Sequence, residues 1–124
     1  MKKGVFSLAF VFILLVLGAC SPTDFDGSRT GNESQLIMEY KVLNTTDSQV
    51  LELQEGDYVD VVVTSTSGKI DILLQKEGDD PIYRGVDIPT STFAIRVPKT
   101  GSYNASITGD NASGSVSIIK REGT

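Results

Sequence analysis

The chain contains no histidine and no tryptophan, and it has one cysteine among its 124 residues. The lack of histidine removes the commonest general base near neutral pH, the nucleophile systems that depend on it, and most zinc sites. A single cysteine cannot form a disulfide within the chain. No glycine-rich loop of the P-loop or dinucleotide-binding type is present either. These absences exclude most familiar catalytic arrangements.

Paired carboxylates remain as a catalytic arrangement, since two acids alone can hydrolyse a glycosidic bond. The acids Asp57, Asp60, Asp71 and Glu77 fall at predicted turns or at outward strand positions. Solvated carboxylates are expected at such positions. The sequence therefore predicts a protein that is not an enzyme, with no cofactor and no resident metal.

A short apolar segment near the start of the chain follows Lys2 and Lys3. Residues 5–17 are apolar except for Ser7. This length suits the core of a signal peptide, and it is shorter than the roughly 20 residues that a membrane-spanning helix needs. The segment predicts export of the chain.

The apolar segment ends in Leu17-Gly18-Ala19-Cys20, which closely resembles the lipobox of bacterial lipoproteins. The resemblance implies thioether lipidation of Cys20 and cleavage between Ala19 and Cys20. It also implies anchoring in the cell membrane or the outer membrane, on the extracytoplasmic side. A lone secreted cysteine would otherwise be an unpaired thiol, which favours lipidation. The alternatives are an ordinary secretory signal beside a cysteine and a short buried apolar helix.

The chain that remains after cleavage is acidic. Removing Lys2 and Lys3 from the 11 basic residues leaves nine against 16 acidic residues, a net charge of −7. Such a surface repels nucleic acids and anionic headgroups. The predicted partners are the membrane, through the lipid on Cys20, and another envelope protein or a polysaccharide. Nucleic acid is not a predicted partner.

The sequence divides into three segments. Residues 1–19 are the predicted signal peptide. Residues 20–34 contain the lipidated cysteine and a predicted flexible tether, because polar and turn-forming residues dominate there and Phe25 is the one large apolar side chain. Residues 35–121 are the predicted β-sandwich domain.

Apolar residues recur at every second position from Gln35 onward, as in strands with one buried face. Such runs occupy residues 36–42, 51–53, 59–63, 70–74, 93–97, 103–107 and 116–118, and turn signals such as Ser67-Gly68 and residues 109–114 separate them. The pattern predicts an all-β fold, an antiparallel β-sandwich of Greek-key or jelly-roll type with seven or eight strands. A β-barrel is the alternative.

Four segments of the later chain carry a second resemblance. They are residues 53–57, which lead into a valine-rich strand, residues 67–72, residues 93–98 and Gly101-Ser102-Tyr103. In this order they resemble small bacterial extracellular sandwiches of the pre-peptidase C-terminal type. The resemblance implies an accessory module rather than an enzyme. Tyr103 is also predicted to be a corner tyrosine that locks the entry of its strand.

One loop-rich stretch contains the candidate ligand residues. Asp79 and Asp80, with Asp87 nearby, place three carboxylates around a loop, and calcium takes roughly six to eight oxygen ligands. Aspartate also opens turns by bonding to its own backbone, which is the alternative explanation. Tyr83 lies in the same stretch and is predicted to be exposed, as a possible platform for a sugar.

The predicted function is that of a membrane-anchored extracytoplasmic lipoprotein whose β-sandwich is a non-enzymatic binding or interaction module of the cell envelope. One alternative is a structural envelope lipoprotein without a specific ligand. Another is a carbohydrate- or calcium-binding accessory domain.

Overall fold

The computed structural model describes residues 23–123, and these residues form an all-β structure. The strands are β1 (Phe25–Asn32), β2 (Gln35–Leu43), β3 (Thr46–Leu53), β4 (Tyr58–Lys76), β5 (Tyr83–Gly85), β6 (Ser91–Arg96) and β7 (Gly101–Arg121). Within residues 23–123 no helix is long and apolar enough to span a membrane. The predicted signal peptide, its cleavage site at Ala19 and the lipidated Cys20 lie outside the described residues.

Two long strands, β4 and β7, organise the fold. They pair antiparallel along nearly their whole length, from Tyr58 opposite Arg121 to Lys76 opposite Tyr103. All seven strands belong to one hydrogen-bonded sheet, which folds over at β4 and β7 into two layers that we call the first and the second sheet. The first sheet has the order β1-β2-β7-β4-β6 and uses residues 58–65 of β4 with residues 112–121 of β7. The second sheet has the order β3-β7-β4-β5 and uses residues 67–76 with residues 101–110.

Apolar side chains from both sheets form a single hydrophobic core, which confirms the predicted antiparallel β-sandwich. Every second residue of a strand faces this core, as the period of a strand requires. The buried apolar residues are Leu36, Met38, Tyr40, Leu43, Leu51, Leu53, Val59, Val61, Val63, Ile70, Ile72, Leu74, Ile88, Val97, Tyr103, Ala105, Ile107, Ala112, Val116 and Ile118.

Each long strand passes from one sheet to the other through a bend. In β4 the buried residues are odd-numbered up to Val63 and even-numbered from Ile70. Two register shifts lie between these stretches: the one between Ser65 and Ser67 adds a residue to β4, and the one between Ser67 and Lys69 adds a residue to β7. Bulges of this kind let a strand turn a corner while one face stays on the core.

The turns predicted at Ser67-Gly68 and at residues 109–114 are wrong as chain reversals, because both segments lie inside continuous strands. Gly68 has a φ of 72° and Gly114 a φ of 140°. Glycine adopts such angles readily in bulges as well as in turns, so the two cases give the same sequence signal. A Cβ on Gly114 would also collide with the carbonyl oxygen of Thr64.

The flexible tether predicted for residues 20–34 is wrong from Phe25 onward, and so is the domain boundary at residue 35. Phe25–Asn32 forms β1, which pairs with β2 across the short connection at residues 33–34. Backbone hydrogen bonds and the packing of Phe25 against the core order this strand. Its polar side chains are mostly exposed, which is why composition alone does not reveal it.

Arg29 links β1 to the edge of the second sheet. Its Nε donates to both carboxylate oxygens of Asp47 on β3 at 2.9 Å, and a terminal nitrogen donates to the Ser48 carbonyl at 2.8 Å. Such a charge-assisted, multiple contact is among the stronger polar interactions of a protein surface. The two sheets are therefore joined along this side by a side chain as well as by the core.

The predicted corner tyrosine is confirmed. Tyr103 is buried near the start of β7, and its hydroxyl donates to the Lys99 carbonyl at 2.7 Å. The bond fixes residues 99–101, through which the chain enters β7, against the core.

Candidate functional site

The residues of the predicted ligand or calcium loop lie in two separate places. Asp79 and Asp80 belong to the connection between β4 and β5, beside a depression of about 380 Å³. The Asp79 carboxylate lies 3.7 Å from Lys99 Nζ and 4.0 Å from Lys76 Nζ. The ammonium groups of Lys76 and Lys99 therefore already lie beside the carboxylate of Asp79, which is less exposed than Asp80.

Asp87 lies on the other side of β5. Its N–H donates to Asp71 Oδ1 at 2.8 Å, and its φ of 51° is a left-handed conformation that aspartate tolerates in turns. Asp71 and Lys76 are five positions apart on β4, roughly 16 Å at the usual rise of a strand. The structure thus keeps Asp87 apart from Asp79, and residues 23–123 contain no group of three His, Cys, Asp or Glu that could hold a metal ion.

Tyr83 is half-buried rather than exposed. Its ring centroid lies 5.0 Å from that of Phe93, with the two rings tilted by 35°, and both rings pack against the core. The reason is that β5 and β6 both pair with β4, β5 in the second sheet and β6 in the first, and so lie at the same side of the sandwich. The rings of Tyr83 on β5 and Phe93 on β6 cover the core at this side. Tyr83 therefore covers the core and is not a free platform for a sugar.

Among residues 23–123, Asp57 is the one acidic residue that is buried, with 5% of its surface exposed. One oxygen accepts a hydrogen bond from Gln54 N at 2.9 Å, and the other accepts one from Gly123 N at 3.3 Å. Buried charges persist where hydrogen bonds compensate them. Asp57 thus ties the turn before β4 to the segment that follows β7.

The outer face of the first sheet carries a cluster of Tyr58, Asp60 and Arg121. Two nitrogens of Arg121 donate to the Asp60 carboxylate at 2.8 and 3.1 Å, and the guanidinium carbon lies 4.7 Å from the centroid of the Tyr58 ring. The hydrogen bond from Arg121 lowers the pKa of Asp60. An acid held in its ionised form in this way is a poor proton donor at neutral pH. Val62 and Ile119 expose 42% and 36% of their surface beside the cluster.

The outer face of the second sheet has a different composition, and we call it the polar face. Most of its side chains are hydroxyls or amides that alternate with the buried residues of β3, β7 and β4. Its residues are Thr46, Ser48, Val50 and Glu52 on β3, Ser102, Asn104, Ser106 and Thr108 on β7, and Asp71, Leu73 and Gln75 on β4.

Two depressions lie end to end on the polar face, and together we call them the polar groove. They meet where Asn104 Nδ2 donates to Ser106 Oγ at 3.1 Å. Residues 102–108 of β7 run along both, which is roughly 20 Å of strand. The first depression, of about 460 Å³, is lined by Val50, Gln75, Glu77, Gly78, Ser102, Tyr103 and Asn104. The second, of about 300 Å³, is lined by Thr46, Asp71, Ile72, Leu73, Arg84, Gly85, Val86, Ser106 and Thr108.

Hydrogen bonds between neighbouring strands hold the side chains of the polar face in place. The hydroxyls of Thr46 and Thr108 are 2.8 Å apart, and those of Ser48 and Ser106 are 3.1 Å apart. A hydroxyl can donate one hydrogen bond and accept two, so these contacts leave capacity for a ligand. Side chains that are already fixed lose little entropy when a ligand binds.

The polar groove is the functional candidate that sequence reasoning missed. Its signal is the hydroxyl or amide at alternate positions of β3 and β7, from Thr46 to Ser48 and from Ser102 to Thr108. Alternation identifies each strand separately, but it does not show that β3 lies beside β7, about 55 residues later in the chain. Only that pairing brings the two rows of side chains together.

Comparisons with known proteins find distant structural likeness. No protein-family model matches the chain, and no curated protein matches it. A periplasmic inhibitor of g-type lysozyme from Aeromonas hydrophila is similar with a TM-score of 0.49 and 12% identity, over 82% of this chain and 91% of that one. A carbohydrate-binding module of Cellvibrio mixtus lichenase 5A, in complex with cellotriose, gives 0.45 and 14%, over 85% and 92%.

Proposed function

We propose that the protein is a lipid-anchored lipoprotein of the extracytoplasmic side whose β-sandwich is a non-enzymatic binding module. The polar groove is the proposed binding site. The observation that carries the binding role is the row of fixed, mostly uncharged hydrogen-bonding side chains along two adjoining depressions. The pattern Leu17-Gly18-Ala19-Cys20 supports the anchor.

The position of the groove in the fold suits a binding site. It lies on β4 and β7, the two strands that belong to both sheets. The inner residues behind it, such as Leu74, Ala105 and Ile107, expose no more than 1% of their surface. A close-packed core holds these strands at fixed spacing, and sites on such elements are more precise than sites on loops. The groove is therefore formed before any ligand arrives.

The anchor is tested by the Cys20→Ala variant of the full chain, expressed in a bacterial host. We expect the wild type to take up a labelled fatty acid and the Cys20→Ala variant not to, because the thiol that accepts the lipid is missing. The label is measured on the immunoprecipitated proteins, since an uncleaved apolar segment would by itself keep the variant on membranes. Equal labelling of the two proteins would contradict the anchor.

The binding role is tested by capture of partners with the mature chain, residues 20–124, from envelope extracts. We expect saturable binding of an envelope component that is lost in a variant with Asn104→Ala and Ser106→Ala. Lack of any saturable partner would leave a structural lipoprotein as the better description. Turnover of a substrate in a hydrolase panel, abolished by one acidic substitution, would replace the proposal with an enzymatic one.

A further inference from the structure

The geometry points to an uncharged polysaccharide as the ligand of the polar groove. This inference rests on the proposed binding function and names the ligand class for the same site. It depends on three properties of the groove, namely the hydrogen-bonding character of its lining, the distribution of its charges and the pairing of its strands.

The lining of the groove matches a ligand that is rich in hydroxyl groups. Along the middle of the groove the polar side chains are Gln75, Asn104 and Ser106. Hydroxyl and amide groups both donate and accept hydrogen bonds. A sugar hydroxyl does the same, so each such group of the ligand can be satisfied without a charge on either side. Val50, which exposes 49% of its surface, and the partly buried Leu73 offer contacts for the C–H faces of sugar rings.

Charged groups lie toward the ends and margin of the groove. Glu52 and Glu77 are at one end, where the Glu52 carboxylate accepts a hydrogen bond from Ser102 Oγ. Asp71 and Arg84 are at the other end, and Asp71 already accepts the hydrogen bond from Asp87 N–H. The mature chain carries a net charge of −7, obtained from nine basic and 16 acidic residues, and so repels an anionic polymer. A groove whose middle carries no charged side chain fits a neutral polymer best.

An extended peptide is a poorer fit to the floor of the groove, because β4 and β7, which form that floor, are paired on both sides. β7 pairs with β3 and β4, and β4 pairs with β7 and, at residues 72–74, with β5. Peptides that bind by strand addition need an unpaired edge, and the edge strands here are β3 and β5, at the two sides of the groove. A ligand that lies along the floor meets side chains alone, which again favours a partner covered with hydroxyl groups.

The expected affinity of a single groove is low. Among the described residues, the one aromatic side chain in the lining is Tyr103, and its hydroxyl is bound to the Lys99 carbonyl. The groove therefore relies on hydrogen bonds and small apolar contacts. Many copies displayed on one membrane would bind a repeating polymer together, since linked sites gain avidity without any new contact.

The test measures binding of the mature chain, residues 20–124, to soluble polysaccharides by isothermal titration. The neutral probes are β-glucan, xylan, mannan and dextran, and the charged probes are alginate and chitosan. We expect at least one neutral polymer to bind, with an affinity that changes less than about twofold between 50 and 500 mM salt, because screening acts on charges.

The groove variant Asn104→Ala with Ser106→Ala should weaken this binding about tenfold or more, the effect of losing two or three hydrogen bonds. The matched control is Gln35→Ala with Ser117→Ala, two uncharged polar residues on the outer face of the first sheet, and it should bind like the wild type. Thermal melting of all three proteins verifies that each is folded.

The inference is overturned if no neutral polymer binds, if a charged polymer binds better, or if the control variant loses affinity as much as the groove variant. A protein captured from envelope extracts through the groove, with no binding of neutral polysaccharide, would overturn the ligand class and leave the proposed binding function standing. Failure of both the capture and the titration would remove the binding function itself.

Discussion

The two outer faces of the sandwich stand on the same two strands, β4 and β7, yet their side chains interact in different ways. On the first sheet, Arg121 connects Asp60 and Tyr58 through an ion pair and a stacking contact. On the second sheet, uncharged groups such as Thr46 and Thr108 bond to one another across strands. The first sheet also has a depression of about 420 Å³, in which Glu39 and Lys41 lie beside Ser28 and Ser115.

The comparison shows that the inward-facing residues of the two sheets are alike and that the outward-facing residues differ. The inward residues of both halves are alike, as Val61 in the first sheet and Ile72 in the second show, because one core imposes the same demand on each. The outward residues have no such common demand. The two faces are therefore free to differ, with Arg121 bound to Asp60 and Tyr58 on one and a row of hydrogen-bonded hydroxyls on the other.

The largest expected effect concerns the corner that separates the two faces. Gly114→Ala should cost about 2–4 kcal/mol of unfolding free energy, because a Cβ would collide with the Thr64 carbonyl and the φ of 140° is strained for alanine. The control is Gly78→Ala, where φ is 84° and no atom lies within 4 Å, so strain of about 1 kcal/mol is expected. Urea unfolding measures both. Equal losses of unfolding free energy in the two variants would mean that the Thr64 carbonyl leaves room for a Cβ at position 114.

A smaller effect separates two buried tyrosines, one from each sheet. Tyr103→Phe removes the hydrogen bond to the Lys99 carbonyl and should cost about 1 kcal/mol. The hydroxyl of Tyr40 is buried with no hydrogen-bond partner, so Tyr40→Phe should leave stability unchanged or raise it slightly. Urea midpoints at neutral pH compare the two variants. A clear loss in Tyr40→Phe would show that this hydroxyl has a partner after all.

Tyr40 also makes the stability of the protein depend on pH in the alkaline range. Burial raises the pKa of Tyr40 from 10.0 to about 12. As the pH rises from 10 towards 12, the unfolded chain therefore loses this proton before the folded chain does, and wild-type stability falls. Tyr40→Phe should lack that part of the fall, so its advantage over the wild type grows with pH. Urea midpoints at pH 8, 10 and 11 test this, and an equal fall in both proteins contradicts it.

The smallest expected effect belongs to the ion pair on the outer face of the first sheet. Because the pKa of Asp60 is lowered in the folded state, its contribution to stability is present above the pKa of the unfolded chain and is lost as the pH falls through the folded pKa. Asp60→Asn should therefore be slightly less stable than the wild type at pH 7, and the difference should shrink as the pH falls to 2.5. Both residues are well exposed, so the loss should be much smaller than that of Tyr103→Phe. Melting temperatures at the two pH values measure it, and a gap that widens in acid would reverse the sign.

Periodicity predicted the all-β sandwich and the core positions of most strands, and the position of Tyr103 shortly after Gly101 predicted its corner role. It did not distinguish a bulge from a turn, since Gly68 and Gly114 serve a bend with the same residue type that a turn would use. It also missed strand β1. This strand is held in place by backbone hydrogen bonds to β2 and by the contact of Arg29 with Asp47, and neither interaction requires alternating apolar residues in the sequence. Candidate residues chosen by type, such as Asp79 and Asp87, did not come together. The polar groove depends on strand pairing over a long sequence distance.

The early start of β1 has a consequence for how the domain would stand on a membrane. Phe25 follows Cys20 by five residues, and five fully extended residues reach at most about 17 Å. A lipid on Cys20 would therefore hold the Phe25 end of the sandwich within about 17 Å of the membrane surface. The Asn44 N–H donates to the Asp24 carbonyl at this end, and the groove begins close by at Thr46 and continues away along β7. The Thr46 end of the groove would then be the end nearer to the lipid anchor.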